Sequence, residues 1–302
     1  MTVASTTAND AITATERHTR RWPDAELRAL VESVMDAEAS APLGVYLFGP
    51  DEPGAALGLH IEREVFGDVF GNTPEQLNDE YLPYHHVSIF ACVLDHRRRL
   101  PAGVMRVILP SSVGLKSLND TERIWGIPAE ALFAANDLPY DPERTWDIAT
   151  LAVDPEFRRS KTGHGLVTLG LAQAISMLTV QLETRCAVSI MDVEALEVIR
   201  ATFYNSTPFA GIEPRPYLDS PASVPVWTYH QQWDDDLKRN DELLYEILRR
   251  GTGLEAAVAP ADWQAGAATC LELMALADSA CDLRSRDAGP AAARGGAASR
   301  AR

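Results

Sequence analysis

Residues 151–166, LAVDPEFRRSKTGHGL, combine residue types that can bind a phosphorylated ligand. Pro155 ends an apolar run that predicts a strand, and Gly163 and Gly165 precede a long apolar segment that predicts a helix. Glycines let the main chain approach a ligand closely, and the free N–H groups at a helix N-terminus attract phosphate. Paired glycines also occur where a strand simply turns into a helix, so the spacing alone leaves both interpretations open.

Basic side chains lie between this predicted strand and helix. Arg158, Arg159 and Lys161 form a local positive patch, and His164 lies between the two glycines. The formal net charge of -16 argues against nucleic-acid partners, because binding a polyanion depends on Lys and Arg neutralising its phosphates. A local patch can still hold a small anion, so these four side chains are candidate phosphate ligands.

The composition is that of an ordinary enzyme. The chain has 302 residues, of which 46% are hydrophobic and 23% charged, enough to bury a full core. Cys92, Cys186, Cys270 and Cys281 show no CxxC spacing, and no histidine has a second one at metal-ligand spacing. The polar start lacks an apolar signal segment, and no apolar run reaches the length of a membrane span. We therefore expect a soluble cytoplasmic protein without a metal site.

The order of predicted elements favours an α+β domain with a mostly antiparallel sheet and helices on its faces. Apolar or alternating runs predict strands at residues 44–49, 87–95, 103–110, 145–155, 186–192 and 224–233. Helical spacing predicts helices at residues 24–38, 55–70, 118–135, 166–182 and 193–205, with two more at 236–249 and 261–280.

Composition divides the chain into four parts. Residues 1–20 and 283–302 are polar or rich in small residues and predict disordered ends. Residues 21–233 contain the predicted sheet, and residues 234–282 predict a helical extension at the C-terminal side.

The segment around the glycines resembles motif A of the GNAT acyltransferases, the Gcn5-related N-acetyltransferase superfamily. In that motif a strand of the type V-x-P-x-x-R leads into a glycine loop and a long helix, and Val153, Pro155 and Arg158 match it in order. The resemblance implies that the main chain of residues 161–165 holds the pyrophosphate of coenzyme A, with the strand from Leu151 to Val153 beside the cofactor. The usual Arg or Gln ahead of the first glycine is replaced by Ser160.

The upstream sequence resembles the autoinducer synthases and the long-chain N-acyl amino acid synthases of the same fold. Those groups carry R-x-x-F, D-x-Y and G-x-x-R in order, and the matching residues here are Arg63 and Phe66, Asp79 and Tyr81, and Gly103 and Arg106. The resemblance implies substrate contacts for Arg63, Phe66 and Arg106. Arg106 either orients a substrate carboxylate through its planar guanidinium or forms an ordinary ion pair.

Two residues are candidates for proton transfer. An amine must lose a proton as it attacks a thioester, and Asp147 on a predicted strand suits that task. A strand aspartate can equally cap a neighbouring loop or pair with Arg106. In autoinducer synthases a glutamate and an arginine match Asp147 and Thr150, so a homoserine lactone product is disfavoured here. The resemblance implies a tyrosine for the leaving thiolate, and Tyr204 is the candidate, with packing as its alternative role.

These observations predict an N-acyltransferase that uses acyl-CoA or an acyl-carrier-protein thioester and acylates the amine of a small molecule such as an amino acid. No cysteine or serine has a nucleophile arrangement, which favours direct transfer without a covalent enzyme intermediate. The alternative is an inactive domain that binds acyl thioesters as a sensor or interaction module. The sequence leaves an oligomer and a carrier-protein partner as open possibilities.

Overall fold

The computed structural model describes residues 19–159, 165–202 and 205–287. The strands are β1 (Leu43–Phe48), β2 (Ser88–Asp95), β3 (Leu100–Ile108), β4 (Thr145–Val153), β5 (Cys186–Asp192), β6 (Thr207–Pro208), β7 (Arg215–Tyr217), β8 (Ser220–Tyr229) and β9 (Val258–Ala259). The α-helices are α1 (Asp24–Val34), α2 (Ala55–Phe70), α3 (Pro74–Tyr81), α4 (Lys116–Trp125), α5 (Ala129–Ala134), α6 (Pro155–Arg159), α7 (Leu166–Gln181), α8 (Val193–Thr202), α9 (His230–Asn240), α10 (Glu242–Arg250) and α11 (Trp263–Asp287).

The strands form one sheet in the order β6-β8-β5-β4-β3-β2-β1-β9, with β7 beside β8. Successive pairs from β1 to β4 are antiparallel, as is the pair β5 and β8. Strand β4 is parallel to β5, and β9 is parallel to β1. The α+β class with a mostly antiparallel sheet flanked by helices is therefore confirmed.

Helices α2 and α7 cover opposite faces of the sheet. On β3, Met105 packs in the cluster that contains α7, whereas the adjacent Val104 packs with α2. Gly103 lets α7 approach closely, because an added Cβ would lie 2.6 Å from Val167 Cγ1 and 3.1 Å from the Ala152 carbonyl oxygen. This packing explains the glycine of the G-x-x-R pattern.

Several predicted boundaries are wrong, and the helix predicted at 24–38 ends at Val34. The helix predicted at 118–135 is two helices, because Gly126 ends α4 in the left-handed conformation (φ 73°) and Pro128 precedes α5. The strand predicted at 224–233 ends at Tyr229 and α9 follows. The buried His230, Trp233 and Leu237 have helical spacing, which outweighs the β-rich composition of the preceding residues.

The segment after residue 233 packs on the sheet and on α7. Gln173 Nε2 donates to the Ile247 carbonyl oxygen over 3.0 Å, joining α7 to α10. Strand β9 pairs with β1 and adds an edge to the sheet. Instead of the two helices predicted at 236–249 and 261–280, the described segment contains three, α9 to α11. Among the described residues, none of the helices has both the length and the apolarity that crossing a bilayer requires.

Candidate active site

The parallel strands β4 and β5 separate after three residue pairs. Their pairing runs from Thr145 opposite Cys186 to Asp147 opposite Val188 and ends there. Beyond this point the Ser189 hydroxyl donates to the Ile148 carbonyl oxygen over 2.8 Å, so a side chain replaces the next ladder bond. The remaining halves of both strands border a gap in the sheet.

A cavity of about 140 Å³ occupies this gap. Most of its surface is apolar, and no Lys, Arg or His side chain is among the described residues that line it. Its lining residues are Phe66, Phe70, Tyr81, Met105, Ile148, Ala149, Thr150, Leu151, Ala172, Ile175, Ser189, Ile190, Met191, Asp192, Ala195, Ile199, Tyr217, Leu218, Ser220 and Ser223.

The cavity connects the two faces of the sheet. Phe66 and Phe70 belong to α2, whereas Ala172 and Ile175 belong to α7 on the opposite face. Side chains from both helices reach one cavity because β4 and β5 leave the space between them open. A ligand can therefore contact groups on both faces at once.

A β-bulge at Ala149 sets which β4 side chains face the cavity. Arg106 of β3 pairs with Thr150 while Val107 pairs with Ile148, so Ala149 is the extra residue. The bulge breaks the strand's alternation, and Leu151 packs in the same cluster as Ile148. The Tyr81 hydroxyl donates to the Ala149 carbonyl oxygen at 3.4 Å, and burial raises the pKa of Tyr81 above its ordinary value.

Asp192 is the one carboxylate among the described residues that line the cavity. It ends β5 and precedes α8. Its Oδ1 accepts the Ala195 N–H at 3.0 Å, and its Oδ2 accepts the Ser220 hydroxyl at 2.8 Å. The Ser223 hydroxyl donates in turn to Ser220 Oγ at 2.9 Å. These contacts hold the carboxylate in one orientation.

The turn between β7 and β8 forms one wall with a strained backbone. Leu218 and Asp219 have φ of 45° and 62°, in the left-handed region, which Asp tolerates but a bulky residue such as Leu rarely adopts. The Asn72 and Gln76 side-chain amides donate to Asp219 Oδ2 over 2.9 Å and 3.0 Å, which docks the turn on the α2–α3 connection. Such strain is often retained at functional sites, and here it places Leu218 in the cavity wall.

A buried polar cluster holds Tyr217 in the cavity wall. The Lys116 ammonium donates to the Tyr217 hydroxyl and to Glu80, each at 2.8 Å, and to Asp120 at 2.5 Å. The Tyr217 hydroxyl donates to Asp120 at 2.7 Å. Burial opposes the charge of Lys116, but the neighbouring Tyr81, Asp120 and Glu80 together hold its pKa above its ordinary value. Burial also raises the pKa of Tyr217.

Arg106 forms a buried ion pair instead of lining the cavity. Its Nε donates to Glu62 Oε1 at 2.9 Å, and its second contact is with Glu62 Oε2. The Thr150 hydroxyl also donates to Glu62, and the rings of Tyr81 and Phe90 flank the guanidinium. Arg106 therefore forms the ordinary ion pair that was the alternative to binding a substrate carboxylate. This ion pair joins α2 to the wall of the cavity.

Asp147 caps α4 and does not line the cavity. Its Oδ2 accepts the Ser117 N–H at 2.6 Å and its Oδ1 accepts the Ser117 hydroxyl at 2.7 Å. The first N–H groups of a helix have no intrahelical partner, so this strand aspartate satisfies one of them. Burial raises the pKa of Asp147 to about 6, although the Ser117 donors favour the ionised form. The capping alternative is therefore the arrangement that the structure contains.

The two residues of α2 that were expected to contact the substrate lie in different places. Phe66 lines the cavity, whereas Arg63 faces the N-terminal segment. The Arg63 guanidinium donates to the Arg20 carbonyl oxygen and to Glu64, and it lies 2.8 Å from His60 Nδ1. Arg63 is therefore not brought together with Phe66 at the cavity.

The predicted cofactor residues are only partly described. Leu151 lines the cavity, and Val153 packs against the hydrophobic core. Gly165 directly precedes α7 as its N-cap, with φ of 85°. The Arg158 Nε donates to the Val153 carbonyl oxygen at 2.7 Å. The remaining predicted groups lie outside the described residues: Ser160, Lys161, Gly163, His164, Tyr204 and the Arg159 side chain.

Sequence reasoning missed Asp192, Tyr217 and Leu218 as site residues. Asp192 had a signal, because it is the first acidic residue after the apolar strand and stands where a helix begins. No sequence signal indicates Tyr217 or Leu218. Strand β7 is only three residues long, and it is the pairing of strands in the sheet that brings this segment to the cavity.

The free cysteines that the structure describes lie outside the cavity lining. Cys92, Cys186 and Cys270 are free and buried, none lines the cavity, and burial raises the pKa of Cys186 to about 12. Among the described residues, no three His, Cys, Asp or Glu side chains are grouped to hold a metal ion.

No family profile and no curated protein sequence matches this chain. Solved structures with a similar fold include FeeM, an N-acyl amino acid synthase from uncultured soil microbes. It is 10% identical with a TM-score of 0.47, over 64% of this chain and 93% of FeeM. BjaI, a CoA-dependent acyl-homoserine lactone synthase with SAM and isopentyl-CoA, is 16% identical with a TM-score of 0.42, over 65% of this chain and 89% of BjaI. A variant of the spermidine N-acetyltransferase SpeG from Vibrio cholerae is 8% identical with a TM-score of 0.39, over 64% of this chain and 96% of SpeG. At these identities the similarity concerns the fold alone.

Proposed function

We propose that this chain is an N-acyltransferase that moves an acyl group from an acyl-CoA or acyl-carrier-protein thioester to the amine of a small molecule such as an amino acid. The observation that carries the proposal is the cavity between β4 and β5, which joins the two faces of the sheet. A donor and an acceptor that approach from opposite faces would meet in this gap, which provides the proximity that a bimolecular transfer needs.

The apolar lining supports an acyl chain as one occupant. Each buried methylene contributes about 0.8 kcal/mol, and no described Lys, Arg or His lines the cavity to oppose this. An apolar cavity of about 150 Å³ accommodates benzene, so a cavity of about 140 Å³ suits an acyl portion of about six carbons.

The main chain of the separated strands supports a thioester as the donor. Beyond Asp147 and Val188 the facing edges of β4 and β5 no longer pair with each other. Their N–H and C=O groups are therefore placed to bind an amide-containing cofactor arm and to stabilise the oxyanion that forms when an amine attacks the carbonyl.

The phosphates of coenzyme A belong, in this proposal, at the start of α7. Gly165 begins this helix, and a helix N-terminus attracts phosphate. Arg158, Arg159, Lys161, Gly163 and His164 remain predicted contributors, with Tyr204 as the predicted proton donor to the thiolate. A carrier-protein donor would present the same phosphopantetheine chemistry.

Detection of the product tests this proposal. The protein is incubated with acyl-CoA and acyl-carrier-protein donors of increasing chain length and with pooled amino acids, and new acyl amides are sought by mass spectrometry. We expect amide formation that depends on the protein and is strongest near six carbons. Binding of donors without any amide would favour the inactive sensor, and neither binding nor amide with any donor would contradict the proposal.

A further inference from the structure

Acyl transfer to an amine needs a group that accepts a proton. As the nitrogen bonds to the carbonyl carbon it becomes cationic and must lose a proton before the amide is stable. A suitable group has to reach the reacting atoms, which confines the search to the cavity lining. In the described part of that lining, Asp192 is the single carboxylate, among apolar side chains and hydroxyl groups.

We infer that Asp192 is the proton acceptor of this reaction, an inference that rests on the proposed function. Its two oxygens accept from the Ala195 N–H and the Ser220 hydroxyl, which fix its orientation. Each carboxylate oxygen can accept more than one hydrogen bond, so capacity remains for the substrate amine. The described part of the chain provides Asp192 with no salt bridge, so no Lys or Arg neutralises its charge.

Asp147 is less suited to the same role. Both of its oxygens accept from Ser117 at the start of α4, and the residue is completely buried outside the cavity lining. The two aspartates lie on neighbouring strands but on opposite sides of the point where pairing ends: Asp147 is in the paired half and Asp192 borders the gap. Both aspartates accept an N–H at the start of a helix, but only Asp192 borders the space that a substrate can reach.

Acyl transfer to the amine forms one bond, breaks one bond and moves one proton. The amine nitrogen forms a bond to the thioester carbonyl carbon, and the carbonyl electrons move to the oxygen. Asp192 takes one proton from the nitrogen. When the carbonyl re-forms, the C–S bond breaks and its electron pair leaves with sulfur. The thiolate then takes up one proton, which the proton on Asp192 replaces whether it passes to sulfur directly or through another donor. A thiol holds a proton more tightly than a carboxylic acid, so the carboxylate is regenerated with a free thiol and an amide as products.

The substitution Asp192→Asn tests this role while preserving the helix start. Asn caps helices about as well as Asp, so the contact with the Ala195 N–H can be kept while the proton acceptor is lost. Asp241→Asn is a matched control, because Asp241 accepts the Leu244 N–H at the start of α10 at the same 3.0 Å and does not line the cavity. Both variants and the wild type are assayed for kcat and for the Kd of acyl-CoA.

We expect Asp192→Asn to lower kcat by about 100-fold or more with little change in Kd, and Asp241→Asn to leave both unchanged. If Asp192→Asn does not fold, Asp192→Ser provides a second capping residue without a carboxylate, and the same loss of kcat is expected. An active wild type with unchanged kcat in a folded Asp192 variant overturns this inference alone. A wild type without acyl transfer overturns the proposed function itself.

Discussion

At the residue scale, the surroundings of Asp147 set both its charge and its role. The side chain is completely buried, and burial raises its pKa from 3.8 to about 6. Because the folded-state pKa lies above the unfolded value, this group stabilises the fold most below about pH 4, and that contribution is lost as the pH rises through about 6.

We predict that Asp147→Asn removes this pH dependence. Between about pH 4 and pH 7 the free energy of unfolding of the wild type should fall by about 2 kcal/mol relative to that of the variant. Denaturant unfolding of both proteins across this range measures the difference. A constant difference would show that Asp147 does not titrate as its burial implies. Because Asp147 is outside the cavity, the turnover of Asp147→Asn should stay within a few-fold of the wild type. Replacing a catalytic base would lower turnover far more.

Tyr217 has two separable roles, since its ring lines the cavity and its hydroxyl contacts Lys116 and Asp120. We predict that Tyr217→Phe costs about 1.5–3 kcal/mol of stability, because it removes hydrogen bonds to charged groups, yet leaves acyl-CoA binding close to that of the wild type. Tyr217→Ala removes the ring as well and should weaken binding. Thermal unfolding and titration with acyl-CoA separate the two effects, and equal binding by Phe and Ala variants would exclude Tyr217 from the binding wall.

At the element scale, the buried ion pair of Arg106 and Glu62 connects β3 to α2. Arg106 is completely buried, and Glu62 also accepts the Thr150 hydroxyl of β4. Removing one partner of a buried pair leaves an uncompensated charge, which costs more than the pair itself contributes. This pair therefore ties α2 to β3 and, through Thr150, to the cavity wall.

We predict that Glu62→Gln lowers the free energy of unfolding by about 3–5 kcal/mol. The double variant Glu62→Leu with Arg106→Met removes both charges and should be more stable than Glu62→Gln. Denaturant unfolding of the wild type, Glu62→Gln and the double variant measures the three free energies of unfolding. A double variant less stable than Glu62→Gln would mean that the ion pair is itself a major source of stability.

Element boundaries that depend on local chemistry could be predicted from the sequence. Helix α2 was predicted with its observed bounds, since its apolar spacing ends where Gly71 takes a left-handed φ of 80°. Apolar spacing on both sides predicts one helix over α4 and α5, whereas Gly126 and Pro128 divide it. Apolar spacing thus predicts where helices lie, but it predicts their ends only where the residue that stops the helix is also taken into account.

At the scale of the whole molecule, the cavity could not be predicted from the sequence. It depends on where the pairing of β4 and β5 ends, and these strands are separated by α7. Motifs nevertheless identified part of its wall, since Phe66, Tyr81 and Leu151 belong to segments that were singled out. Arg63, Arg106 and Asp147 lie outside it because each is engaged by a partner elsewhere in the fold, which spacing along the chain does not reveal.

Thermal stabilisation by acyl-CoA, compared between two tryptophan variants of α8, tests most directly whether the gap between β4 and β5 binds the thioester. Ala195 is an exposed residue of the cavity lining, and Glu197 is exposed on the same helix but outside that lining. At a concentration 100 times Kd, acyl-CoA should stabilise the wild type and Glu197→Trp by about 2.7 kcal/mol. Ala195→Trp should fold with similar stability but lose this effect, because the indole fills the cavity mouth. Equal stabilisation of both variants would place the thioester elsewhere and contradict the account.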